Sequence, residues 1–180
     1  MTRPYREIAA AARVAHGTVG WVMAELPGKG FVAEVRGRRR LMNGERLLNQ
    51  WTEACGRTLR PRLLLGKFRG EMKDLQTRAQ WPAELLVGGE VAAARITRHL
   101  RPETATFYAE AIDPKIVLKL RLNADDRGNV EFRRRFWNFP GEDRQLTPKL
   151  LVYADLLAIG DARCLETAEM LRGPLVARLN

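Results

Sequence analysis

Cysteine, histidine and long apolar runs are all scarce in this chain. Its 180 residues include two cysteines and two histidines. Cys55 and Cys164 lie far apart, with no Cys or His at metal-ligand spacing. A disulfide framework and a zinc site are therefore not expected, and both thiols are read as reduced and buried. No apolar stretch approaches the roughly 20 residues that span a bilayer, and the N-terminus lacks the apolar segment of a signal peptide. The expectation is a cytoplasmic protein without a membrane partner. No internal repeat or low-complexity tract stands out. Acidic residues are also in deficit: 21 Asp and Glu stand against 31 Lys and Arg, for a net charge of +10. A chain of that balance favours an acidic partner, with nucleic acid ahead of an anionic membrane. The deficit is local, because residues 1–70 hold 14 Lys and Arg against 5 Asp and Glu, while residues 71–180 hold 17 against 16.

The remaining pattern reads as two small domains, 1–58 and 59–180, in an α+β chain. Ile8, Ala9, Ala11 and Ala12 recur at helical spacing from Tyr5 onward, and Arg13-Val14-Ala15 is a short turn. A second helix runs from His16 to Leu26 with Val19, Val22, Met23 and Leu26 on one face, and Pro27-Gly28 stops it. Residues 30–35 alternate as a strand, Arg36-Gly37-Arg38-Arg39-Arg40 is the turn, and Leu41-Met42 returns. Asn43 is placed to cap a further helix through Leu47, Leu48, Trp51 and Ala54 that Gly56 ends. Two tandem helices and then a two-stranded wing make a winged helix-turn-helix.

In such a unit the first helix braces the second, whose N-terminal residues meet base edges in the major groove. Ala9 and Ala12 let the helices approach, and Val14, Val19, Val22 and Leu26 are expected in the buried seam. That leaves His16, Gly17, Thr18, Gly20 and Trp21 as the reading face. His16 is either a base or phosphate contact or a surface cap. Trp21 either touches a thymine methyl or sugar, or packs against the next domain. Arg36, Arg38, Arg39 and Arg40 at the wing tip would reach phosphates or the minor groove.

From residue 59 the texture changes. The segment Leu59–Phe68, with Pro61 inside it, reads as a linker or edge strand. Leu85–Val87 is a strand, Gly88-Gly89 a tight turn, 90–100 a helix and 104–112 a strand, which together suggest an α/β unit. Pro114–Leu122 is read as helix and Val130–Phe139 as a strand with arginines on its outer face. Thr147-Pro148 opens a helix that Gly160 ends, and Asp161 caps the last one. Leu86–Gly89 before a helix, with a strand after it, is the layout of a nucleotidyltransferase. That fold needs two Asp on the next strand to hold Mg²⁺, and here it reads Ala105-Thr106-Phe107-Tyr108. Asp125-Asp126 and Glu142-Asp143 read as solvated turns. No enzymatic activity, cofactor or metal is therefore expected. Two alternatives stand beside this reading: a nucleotidyltransferase-like enzyme module, and RNA binding through Arg133-Arg134-Arg135 beside Phe136 and Trp137 as a stacking strand.

Four segments, Arg6–Ala9, Gly17–Met23, Leu59–Arg69 and Leu151–Asp161, resemble the AbiEi-type antitoxins, and the likeness spans nearly the whole chain. The resemblance implies a transcriptional regulator of a type IV toxin-antitoxin system. It further implies autorepression at a double-stranded DNA operator and an antitoxin role for the C-terminal domain. The cognate toxin, a nucleotidyltransferase-like product of the partner gene, would be linked in function without necessarily being bound. A winged helix-turn-helix ordinarily has one more helix ahead of these two, so Ile8, Ala12, Val22 and Met23 should need a cover. The helix near Leu47 and Trp51 could supply it, or a second copy in a homodimer. The favoured cover is an upstream part of the natural protein, as in longer relatives.

Overall fold

The computed structural model describes residues 3–77, 80–139 and 141–179. It is α+β, and the chain forms two compact units. One comprises the described residues up to Trp51, Phe136–Phe139 and those from Pro174 onward; the other comprises Thr52–Arg135 and the described residues up to Gly173.

The first unit begins with helix α1 (Tyr5–Ala12), an alanine run with intrinsic helix preference. It ends where Arg13 takes the left-handed conformation at φ 54°, with the Val14 N–H returning to the Ala9 carbonyl at 3.0 Å. Helix α2 (His16–Gly28) comes after the short turn and carries Pro27 within its last turn. Strands β1 (Val32–Val35) and β2 (Arg38–Leu41) pair antiparallel, with Val35 opposite Arg38. Only Arg36 and Gly37 form the loop, at φ 52° and 71°, the double positive φ of a type I′ turn whose twist matches the strands it joins. The five-residue turn expected from the arginine run is thus a two-residue one, and Arg38, Arg39 and Arg40 belong to the strand.

Helix α3 (Gly44–Ala54) starts after Asn43, whose backbone is left-handed at φ 52° and whose amide donates to the Gly30 carbonyl at 2.9 Å. Asn43 therefore ties down the start of the hairpin in addition to preceding the helix. Gly44 is required by close approach: a Cβ there would lie 2.6 Å from that of Leu179. Phe31 and Leu48 are buried, as are Ala9, Val19 and Met23, which form a small cluster between α1 and α2.

Gly56 does not end the helix. The chain continues through a π-helical turn, Cys55–Leu59, into α4 (Arg60–Arg62), where Pro61 near a helix start costs no intrahelical bond. The next segment is neither linker nor edge. Strand β3 (Leu64–Arg69) lies inside a five-stranded sheet of order β4-β5-β7-β3-β6, completed by β4 (Leu86–Gly88), β5 (Ala105–Ala109), β6 (Asn123–Ala124) and β7 (Val130–Arg134). β5 and β7 are parallel, and the other pairings are antiparallel.

Helices α5 (Met72–Thr77), α6 (Gly89–Thr97), α7 (Pro114–Lys119), α8 (Lys149–Ile159) and α9 (Ala162–Ala177) complete the set. Helix α7 confirms the helical reading of Pro114 onward, with Asp113 accepting from the Lys115 N–H at 2.8 Å. Gly160 ends α8 at φ 77°, and Asp161 accepts from the Cys164 N–H at 2.8 Å at the start of α9.

Alternation along β5 and β7 gives the sheet two different faces. Val130, Phe107 and Phe132 occupy one, fully buried, with ring contacts of 5.0 Å from Trp81 to Phe107, 5.4 Å from Phe107 to Phe132 and 5.3 Å from Phe68 to Phe132. Thr106, Tyr108, Glu131 and Arg133 occupy the other.

Candidate nucleic-acid interface

The residues expected to read bases lie together on one side of α2. His16, Gly17, Thr18 and Trp21 are exposed and Gly20 is half-buried, while Val19 and Met23 point into the core. Trp21 is 65% exposed. Two expectations about the seam need correction: Val14 and Val22 are both 41% exposed. The buried line of α2 runs through Val19 and Met23 with Leu26 half-buried, a spacing of four then three, and Val22 falls one helical step to its side.

The hairpin separates its arginines. Arg38 and Arg40 share a face with Val35 and Ala33, whereas Arg39 shares the opposite face with Glu34, Leu41 and Val32. All four expected arginines are exposed. Arg39 is engaged with α1: its guanidinium donates to the Tyr5 hydroxyl and lies 5.3 Å from the centre of the Tyr5 ring. Tyr5 also meets the His16 ring at 6.4 Å, so one tyrosine touches the first residue of α2 and the second strand of the hairpin. Tyr5, Arg39, Glu34, Gly20 and Met23 line a groove of about 390 Å³ between α2 and β1. In the sequence Tyr5 marks no more than the start of a helix.

In the second unit, the Gly88-Gly89 turn, expected to have a nucleotide-binding layout, is packed by the chain's own side chains. Gly89 begins α6 at φ 53°, and a Cβ there would lie 2.7 Å from Thr106 Oγ1. A Cβ on Gly88 would lie 2.8 Å from Asp155 Oδ2 and 2.9 Å from the Tyr108 ring. The two glycines therefore admit close packing by the chain's own side chains. Asp155, buried on α8, accepts from the Gly89 N–H at 3.1 Å, the Tyr108 hydroxyl at 2.9 Å and Arg60 Nε at 3.1 Å. An internal carboxylate thus sits where a helix N-terminus attracts anions.

Arg60 Nη2 reaches Glu131 at 3.1 Å, Lys67 Nζ lies 3.4 Å from the same carboxylate, and Arg133 donates to Glu131 and to the Arg60 carbonyl. Arg133 is 3% exposed and Trp137 1%. The basic outer face and the stacking strand expected for residues 133–137 are thus not formed, because Arg133 turns inward and Trp137 is buried. No sequence signal points to the network of Arg60, Tyr108, Glu131 and Asp155, since its hydrogen bonds join residues 47 to 95 apart, beyond any local pattern.

Burial pushes Asp155 above the usual carboxylate range, more strongly than Arg60 and Tyr108 pull it down. Burial also works against the Arg60 guanidinium, but Asp155 and Glu131 outweigh it and hold its pKa above the ordinary arginine value. For Glu131 the balance falls the other way: burial raises its pKa, yet the Arg133 hydrogen bond and charge, with Arg60 and Lys67, hold it low. A carboxylate with a depressed folded pKa contributes stability that is present above its unfolded value, about 4.3, and lost as pH falls through the folded one. The Glu131 share of the stability seen in urea unfolding should therefore disappear between about pH 5 and 3, while the raised pKa of Asp155 acts in the opposite sense in wild type and Glu131 variant alike. Glu131→Gln should be less stable at pH 7 and lose less over that interval. A variant profile parallel to the wild type would show that Glu131 does not carry the acid sensitivity.

Glu90, Asp161 and Cys164 bring three ligand-type atoms within 4.8 Å of one another. Those atoms already have uses. Glu90 accepts from the Thr104 hydroxyl at 2.6 Å and the Glu103 N–H at 2.8 Å, and Arg163 lies 3.2 Å from Asp161 and 3.9 Å from Glu90. Burial, with Glu90 and Asp161, pushes the Cys164 thiol up to about 12, so it stays protonated at neutral pH. The cluster suits a buried carboxylate held by the chain's own donors better than a cation.

A family model for transcriptional regulators matches residues 40–177, which places the chain among regulatory proteins. The description of that family is "Transcriptional regulator, AbiEi antitoxin, Type IV TA system", and the match covers more than half of the chain. The chain belongs to the AbiEi antitoxin family. The match begins at Arg40, within β2, so α1, α2 and β1 lie ahead of it. No curated protein and no solved structure matches the chain. No helix among the described residues is long and apolar enough to cross a membrane.

Proposed function

We propose that the protein is a DNA-binding autoregulator and antitoxin, in which α1, α2 and the β1–β2 hairpin act as a winged helix-turn-helix on a double-stranded operator. The observation that carries this reading is the exposed face of α2 in the same compact unit as a hairpin bearing four exposed arginines. Arg36 adds weight. It holds a left-handed backbone at the hairpin tip, which costs a side chain roughly 1–2 kcal/mol relative to an unstrained conformation and is where Asn or Gly is the usual choice. Its guanidinium is exposed at the tip, where it is placed for a phosphate or minor-groove contact. His16, Gly17, Thr18, Gly20 and Trp21 are the proposed base-reading residues, and Arg36, Arg38 and Arg40 the phosphate anchors. Arg39 contributes partly by holding the hairpin to Tyr5. Residues 1–58 are assigned to DNA and residues 59–180 to the antitoxin role, the toxin being countered without an assumed stable complex.

The test is a salt titration of duplex binding monitored by fluorescence anisotropy. Each lost phosphate contact flattens the log–log salt dependence by roughly 0.9, so Arg36, Arg38 and Arg40 replaced together by Ala should reduce the slope by about 2.7 and weaken binding on every sequence. Thr18→Ala in the same assay should instead lower preference for the selected site, by about 1–3 kcal/mol if a base contact is lost. An unchanged salt slope in the triple variant would reject the hairpin as the anchor.

A further inference from the structure

The chemistry of the exposed α2 face says which bases it can read. Between His16 and Ala24 there is no Lys, Arg, Asn or Gln. The bidentate partners of guanine and of adenine are therefore missing from the stretch of helix that enters a major groove. Hydrogen-bonding groups on its side chains there are limited to those of His16 and Thr18 and the single indole N–H of Trp21. The exposed large side chains are apolar: Trp21 at 65%, with Val22 and the preceding Val14 at 41% each. The apolar group that a base pair displays in the major groove is the C5-methyl of thymine.

Gly17 and Gly20 point the same way. A Cβ at either would meet nothing within 4 Å, so the fold does not require glycine there. Glycine inside a helix costs about 1 kcal/mol relative to Ala. Bare backbone at these positions lets the helix approach a surface closely. The hairpin supplies the complementary half: exposed Arg36, Arg38 and Arg40 suit the narrow, strongly negative minor groove of A·T runs.

We infer that the operator is an A·T-rich duplex read through thymine methyls by Trp21 and Val22, with the arginine hairpin in the adjacent narrow minor groove. This rests on the DNA-binding reading above and adds the identity of the bases.

The experiment starts with selection of duplexes from a random pool by the full chain. Thymines in the selected site are then replaced by deoxyuridine, which removes only the methyl. Burying one such group contributes about 0.8 kcal/mol, so each contacted methyl lost should weaken binding by about fourfold. In Trp21→Ala the penalty for deoxyuridine should shrink toward none at the contacted position, because the two changes remove the same contact. The Arg36, Arg38 and Arg40 variant should keep its deoxyuridine penalty while binding more weakly overall. G·C-rich selected sites, or salt-sensitive binding indifferent to the methyl, would overturn the inference and leave DNA binding standing. Failure of the chain to retain any duplex would overturn both. The deoxyuridine comparison uses the unaltered protein, so it does not depend on how any variant folds.

Discussion

Asp155→Ala should cost the second unit about 3–5 kcal/mol, more than any surface change in the chain. Asp155 accepts hydrogen bonds from three directions: the Gly89 N–H, the Tyr108 hydroxyl and Arg60 Nε. Removing the carboxylate takes one of two carboxylate partners from a guanidinium whose side chain is only 15% exposed, and takes the hydrogen bonds to Asp155 from the Tyr108 hydroxyl and the Gly89 N–H. A small domain has only about 5–15 kcal/mol of total stability, so the variant should approach the unfolding threshold at 37 °C. Urea denaturation monitored by far-ultraviolet circular dichroism provides the measurement. Asp155→Asn keeps the shape and one acceptor and should lie between the two. A loss below about 1 kcal/mol for the alanine variant would be the value of an ordinary surface pair, and would show that the network is not a structural keystone.

Gly128→Ala is expected to be comparably severe for a steric reason. A Cβ at this position would lie 2.0 Å from the Phe68 carbonyl oxygen and 2.2 Å from its carbon, so backbone would have to move against backbone. Overpacking of a rigid site costs about 1–3 kcal/mol and occasionally more; with no flexible side chain to yield, about 3 kcal/mol or more is expected here. In sequence the same turn has the composition of a solvated loop. In the structure it is a joint: Asn129 Oδ1 accepts from the Gly70 N–H at 3.1 Å and its Nδ2 donates to the Gly70 carbonyl at 3.0 Å. A soluble, fully cooperative Gly128→Ala variant with wild-type unfolding behaviour would contradict that role.

Features that depend on neighbours in sequence are legible without the structure. Helix α1 and the start of α2 arise from alanine spacing and the Arg13–Ala15 break, and the strand–helix–strand run around Gly88 and Gly89 from short apolar segments punctuated by glycine. The end of α8 at Gly160 and the start of α9 at Asp161 are equally local. Gly56 misleads because a glycine near the end of an apolar pattern usually terminates a helix; here the chain instead passes through a π turn, with Gly56 facing the Ala158 methyl at 3.6 Å. Arg133 misleads because three consecutive arginines read as a solvated face. Its inward orientation depends on Glu131 nearby and on Arg60, 73 residues away. For the candidate interface, periodicity separates the inner and outer sides of α2 apart from Val22 and the turn residue Val14, whose exposure depends on what the rest of the unit leaves uncovered. The contact between Tyr5 and Arg39 joins residues 34 apart and has no sequence signal.

The two-faced sheet has a consequence for how the second unit avoids misassembly. Side chains alternate strictly along a strand, so sliding β7 by one residue against β5 would exchange its faces. Phe132 would then meet the carboxylate of Asp155 and the guanidinium of Arg60, while Glu131 and Arg133 would be driven among Phe68, Phe107 and Trp81. Burying unpaired charges in that aromatic layer costs several kcal/mol per ion, which makes the slipped pairing prohibitive. A wholly apolar sheet of the same strands would discriminate far less sharply. The ions beneath α8 act as a key for strand register, rejecting wrong alignments during folding whatever they contribute to the stability of the right one.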